Sequence, residues 1–113
     1  MTDRELLEAA ARAAGIDRFS FDGHDDYIVD PSYIDADGFP VVWDPLTDDG
    51  DALRLAVALK IDVCWNTNEG PWEVNAWLRK GMGSNEDPSR DPYAATRRAI
   101  VRTAAEIGRN LKK

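Results

Sequence analysis

The chain has 113 residues, 43% hydrophobic and 31% charged, with a net charge of −7. A chain of that length suits one domain that removes roughly 65% of its unfolded surface from water. Its hydrophobic content excludes a disordered polymer, and no apolar run approaches transmembrane length.

The charge is unevenly spread. Residues 17–51 hold eleven aspartates against Arg18, giving −10, whereas residues 79–113 hold nine basic and four acidic residues, giving +5. Clustered carboxylates repel phosphate, so nucleic acid is disfavoured as the main ligand; they attract a basic protein surface or, more commonly, simply keep a molecule soluble. Cys64 is the single cysteine, which rules out an internal disulfide. The start Met1-Thr2-Asp3-Arg4-Glu5 lacks the apolar run of a secretory signal, so a reducing cytoplasm is the expected setting.

Thr2 and Glu5 have capping-box spacing, and Leu6, Leu7, Ala10, Ala13 and Ala14 recur at helical spacing, so a first helix is expected over about residues 3–14 with Gly15 ending it. Arg18-Phe19-Ser20-Phe21 and Tyr27-Ile28-Val29 read as two β segments joined at Asp22-Gly23. Pro31, Asp35, Gly38 and Pro40 mark an irregular loop, with Phe39-Pro40-Val41-Val42-Trp43 as a short edge strand. Thr47 or Asp48 then caps a second helix of about ten residues, whose Leu53, Leu55, Ala56, Val57 and Leu59 imply burial around much of its circumference.

Ile61–Trp65 and Trp72–Trp77 alternate across Asn66–Pro71, the best hairpin signal in the chain. Val74 and Ala76 share one face with Trp72, and Glu73 and Asn75 share the other with Trp77. Gly81, Gly83, Ser84, Asn85, Pro88 and Ser89 indicate a mobile loop. Asp91-Pro92 starts the longest helix, with Tyr93, Thr96, Ile100, Ala104, Ile107 and Leu111 as its core stripe. Ala94, Val101, Ala105 and Gly108 form a second, small-residue stripe suited to close packing. The expected fold is a single α+β domain over residues 1–113: a small antiparallel sheet of three to five short strands covered by three helices.

The segments Trp43-Asp44-Pro45-Leu46-Thr47-Asp48-Asp49-Gly50-Asp51-Ala52-Leu53-Arg54-Leu55-Ala56 and Tyr93–Gly108 resemble the phage ABA sandwich domain family, small phage and prophage proteins of unassigned function. The resemblance implies a sheet between helices and the cytoplasm of a bacterial host. It covers residues 17–39 poorly. Position 44 is Asp where that family often has Asn, and the family supplies no catalytic residues to carry over.

No sequence pattern requires a cofactor or a metal. His24 lies among Asp22, Asp25, Asp26 and Asp30, but without the alternation and terminal glutamate of an EF-hand loop, so a solvated turn is the better reading. Cys64 sits in an apolar strand pattern where a thiol is inert packing, and with one histidine no nucleophilic triad is expected. Trp43 and Trp65 are expected in the core.

The expected activity is therefore binding rather than catalysis. An acidic phage or prophage accessory protein would contact a host or phage protein with a basic surface, inhibiting a host or defence protein or imitating DNA phosphates in one version. The contact residues are Asp22, Asp25, Asp26, Asp30, Asp35, Asp37, Asp48 and Asp49, with Trp72 and Trp77 as aromatic anchors. The alternative is a small nucleic-acid-binding factor of a phage replication region, using Arg97, Arg98, Arg102 and Arg109 with Arg79, Lys80 and Arg90. A homodimer through Trp72 and Trp77 is a third reading.

Overall fold

The computed structural model describes residues 2–16, 20–21, 28–34, 40–66, 73–77, 83–86 and 91–110. Three helices, α1 (Asp3–Ala13), α2 (Asp49–Leu59) and α3 (Pro92–Asn110), alternate with six strands: β1 (Ser20–Phe21), β2 (Ile28–Ile34), β3 (Pro40–Trp43), β4 (Asp62–Asn66), β5 (Glu73–Trp77) and β6 (Gly83–Glu86). The class is α+β, as the sequence implies. The strands divide, however, into two antiparallel sheets ordered β1-β2-β3 and β4-β5-β6. No helix among the described residues is long and apolar enough to cross a membrane.

Both ends of α1 follow from local chemistry. Thr2 Oγ1 accepts from the Glu5 amide at 3.2 Å, and Glu5 Oε1 accepts from the Thr2 amide at 3.3 Å, which completes the capping box. At the other end Gly15 adopts φ +83°, where the Ile16 amide reaches back to the Ala11 carbonyl at 2.9 Å and that of Gly15 to Arg12 at 3.1 Å. α2 closes through the same hydrogen-bond pattern, from Ile61 to Ala56 and from Lys60 to Val57, but with Lys60 at φ 58° in the position that favours glycine.

In the first sheet Ser20 pairs with Val29 and Phe21 with Ile28, so the two β segments flanking Asp22-Gly23 do pair. The turn itself and the His24 cluster lie outside the described residues. β2 continues past Asp30 through Pro31 to Ile34, where a longer loop is expected, and its register against β3 shifts between Asp30 and Ile34. Pro31 has no amide hydrogen to give a ladder, so a shift there avoids a lost bond.

The second sheet forms the floor of the main core. Val74 and Ala76 of β5 are buried beneath α3, while Glu73 and Asn75 on the other face are half-buried, as the alternation requires. Gly83–Glu86, expected within a mobile loop, is instead the third strand, with Ser84 opposite Ala76. Its polar composition hid it. Ser84 is held from the helix side: its hydroxyl donates to the Ala99 carbonyl at 2.8 Å beside Thr103. Thr103 is fully buried, and its hydroxyl reaches the carbonyls of Ala76 (3.0 Å) and Ala99 (2.9 Å), tying α3 to β5.

α3 buries a wider face than its large residues suggest: Ile100 and Ala104 of the expected stripe are inside, and Leu111 lies outside the described residues. Ala95, Ala99 and Thr103 join Ile100, Val101, Ala104, Ala105 and Gly108 in the interior, whereas Tyr93 is exposed and Thr96 and Ile107 are only half-buried. α2 departs likewise. Ala52, Leu55 and Ala56 are buried, but Leu53 and Val57 stand in water, so α2 buries one face and not most of its circumference. Trp43 is half-buried against the core, as expected, and Pro45 beside it is buried.

The small-residue stripe of α3 meets α1. A Cβ on Gly108 would lie 1.7 Å from the Ala9 carbonyl oxygen, so the two backbones pass at a distance that only glycine permits. Gly108→Ala must push the helices apart. We expect it to destabilise the protein by about 1–3 kcal/mol, read as a lower urea midpoint.

The capping box also has a pH signature. The Thr2 backbone amide, then the Thr2 hydroxyl, hold the Glu5 carboxyl below its ordinary range. A carboxyl lowered in the folded state contributes stability in full above its unfolded value and loses it as pH falls through the lowered one. Glu5→Gln is therefore expected to lower thermal stability slightly at neutral pH and to leave it nearly unchanged below the lowered value, so that the acid limb flattens.

Candidate functional site

Residues 44–51 fold the start of α2 against α3. The Asp44 carbonyl accepts from Thr47 (3.2 Å) and Asp48 (2.9 Å), closing a turn. Asp48 then caps α2, its Oδ2 accepting from the Asp51 amide at 2.8 Å. Asp51, buried, accepts from the Asp44 amide at 2.9 Å and from Arg54 Nη2 at 2.6 Å, a contact that raises the Arg54 guanidinium's affinity for its proton. Asp44 Oδ1 is buried with no hydrogen-bond partner among the described residues.

Arg97 locks this segment to α3. Its side chain is only 16% exposed; Nε donates to the Leu46 carbonyl at 2.8 Å and Nη1 to Asp49 Oδ1 at 2.6 Å. The next arginines are also engaged. Arg98 pairs with Asp3 at 2.9 Å and lies 3.4 Å from Glu86, and Arg102 meets the other Glu86 oxygen at 2.8 Å. Arg109 too has an interaction partner. Arg98, Arg102 and Arg109 line a cleft of about 370 Å³ beside Ser84, but Glu106 shares it.

The placement of the expected contact residues is accordingly mixed. Asp48 is a helix cap and Asp49 an arginine partner, although both side chains remain more than half exposed. Asp30 and Trp77 lie on the backbones of β2 and β5, opposite Val41 and Asp62 respectively. Asp22, Asp25, Asp26, Asp35, Asp37 and Trp72 lie outside the described residues, as do Arg79, Lys80 and Arg90. Among the described residues no cluster of His, Cys, Asp and Glu has the arrangement of a metal site.

A different surface stands out. α2, α3 and β4 enclose an open groove of about 440 Å³, lined by Ala52, Leu53 and Ala56, by Val63 and Trp65, and by Pro92, Tyr93, Thr96 and Ile100, with Asp49 and Arg97 at one end. Leu53 is 64% exposed, Trp65 52% and Tyr93 68%, and Val57, one helical turn beyond Leu53, is 69% exposed. Trp65 was expected in the core. It does face the helix side, since its cross-strand partner Val74 is buried, but it sits on the edge strand and is only pinned there, its Nε1 donating to Thr96 Oγ1 at 3.2 Å. Cys64, on the opposite face, is exposed rather than packed.

Sequence reasoning missed the groove because Leu53, Trp65 and Tyr93 each look like core residues when taken alone. Comparison with protein-family models, curated proteins and solved structures finds no match to the chain.

Arg97 joins α3 to α2 and to the turn before it through one side chain. Arg97→Ala is expected to cost about 1–2 kcal/mol in a denaturant titration, chiefly from the orphaned Leu46 carbonyl and lost packing. Asp49→Asn, whose carboxylate is mostly in water, is expected to change stability by under about 0.5 kcal/mol.

Proposed function

We propose that this protein acts by protein–protein contact rather than catalysis, as a phage or prophage accessory protein whose partner is a host or phage protein with a basic surface. The observation that carries the proposal is the groove in which Leu53, Trp65 and Tyr93 stand exposed together. Large aromatic side chains kept in water lose the gain of burial, and binding sites recover it by seating them in a partner. The chain's net charge of −7 favours a basic partner. The phage setting rests on the resemblance in residues 43–56 and 93–108, and inhibition of a host or defence protein is one form that such contact takes.

The ion pairs weigh against the nucleic-acid alternative. Arg97, Arg98 and Arg102 already hold carboxylates, so phosphate would have to displace Asp49, Asp3 and Glu86. Imitation of DNA gains nothing from Asp48 and Asp49, one a cap and the other paired.

Pull-down from host lysate at low salt tests the proposal. Tyr93 and Leu53 are mostly in water, so a Leu53→Ser/Tyr93→Ser variant is expected to melt close to the parent protein yet recover the partner at least about tenfold less well. Equal recovery by the variant removes the groove as the contact site. Recovery of nucleic acid instead of protein would favour the alternative.

A further inference from the structure

We infer that the partner enters the groove as an extended segment, which adds as a strand to the free edge of β4 with apolar residues alternating with lysine or arginine. The inference rests on the groove being the contact site and specifies the form of what fills it.

In the second sheet β5 has a neighbour on each side, whereas β4 pairs only with β5, and no strand among the described residues lies along its other edge. Exposed edges are normally protected by charged side chains, lysine above all, by proline or by a bulge. Asp62-Val63-Cys64-Trp65-Asn66 carries one charge, Asp62 at its start, and no lysine, proline or bulge, and its register with β5 is unbroken from Asp62–Trp77 to Asn66–Glu73. α3 packs closely on β5 and β6, while the groove opens between the helices and β4.

The faces of β4 set the chemistry of an added strand. Val63 and Trp65 lie opposite the buried Ala76 and Val74 and line the groove; Asp62 and Cys64 are exposed on the other face. Neighbours on an adjoining strand share these faces at roughly 5 Å. Every second residue of the incoming segment therefore points toward Leu53 and Tyr93, which calls for aliphatic or aromatic side chains. The residues between them pass Asp62, which has no cationic partner among the described residues. Opposite charge is favoured there. Asp91, exposed next to Pro92 at the groove, adds to the negative rim, and Lys60 at the end of α2 is a local offset. A second copy of this chain fits less well, since edge-to-edge pairing brings together two bodies that each carry −7.

Isothermal titration calorimetry with short synthetic peptides tests this. A peptide alternating leucine with lysine is expected to bind, to bind at least about tenfold more weakly when alternate backbone amides are N-methylated, and to lose similar affinity when glutamate replaces lysine. Trp65→Ala is expected to weaken binding about tenfold while the protein retains its circular dichroism. Slowed amide exchange along β4 should accompany binding. If N-methylation has no effect but Trp65→Ala does, strand addition is wrong and groove contact stands. If the glutamate peptide binds equally, the charge assignment is wrong; if no peptide binds, strand addition fails. Binding that ignores Trp65→Ala sinks the groove reading as well. A dimer by light scattering in reductant, dispersed by Trp65→Ala, assigns the edge to a second copy and overturns the inference.

Discussion

The close passage of α1 over α3 fixes the geometry of the main body. Where Gly108 meets the Ala9 carbonyl there is no room for even a methyl group, so the helices pack backbone to backbone rather than through interleaved side chains. Small residues continue the contact along both helices, with Ala10 on α1 and Val101, Ala104 and Ala105 on α3 all buried. α3 is thereby held at a set height above the second sheet. Thr103 and Ser84 join it to β5 and β6, and Arg97 brings the start of α2 to it. One helix thus collects α1, α2 and the second sheet, each by a different kind of bond.

An alanine-rich interior explains the groove. Small side chains let the helices approach each other, but they leave little bulk to fill the space above the outermost strand. Buried area is the main source of stability, at about 25 cal/mol per Å², and leaving Leu53, Trp65 and Tyr93 in water gives some of it up. A surface of that kind makes sense where a partner completes it. The same construction occupies the arginines of α3 internally. Arg97 meets Asp49 of the acidic stretch, and Arg98 reaches Asp3 across ninety-five positions of sequence.

Elements marked by backbone chemistry were legible in advance. The Thr2–Glu5 box, Gly15, the Asp48 cap, Asp91-Pro92 and the alternation through Val74 and Ala76 each depend on a residue type at a fixed offset, and each stands where that chemistry puts it. Which side faces inward was less legible. On α3 Ile100 and Ala104 are buried as their spacing implies, but the close approach of α1 and the bonds from Thr103 bring Ala95 and Ala99 into the core as well and leave Tyr93 outside. β6 escaped notice because Gly83-Ser84-Asn85-Glu86 has turn composition; its place depends on partners far away in sequence. The groove needs three elements to converge, which no local pattern contains, and of the aspartates singled out from composition, Asp48 and Asp49 prove to have structural duties.

The lone thiol has a practical corollary. Cys64 stands in solvent on the outer face of an edge strand, with nothing in the same chain to form a disulfide. Air oxidation can therefore join two molecules covalently through that sulfur, producing a species of doubled mass that reflects handling and not affinity. The same sulfur is a convenient anchor for a probe close to the groove, because a label there leaves the helices and their alanine core untouched.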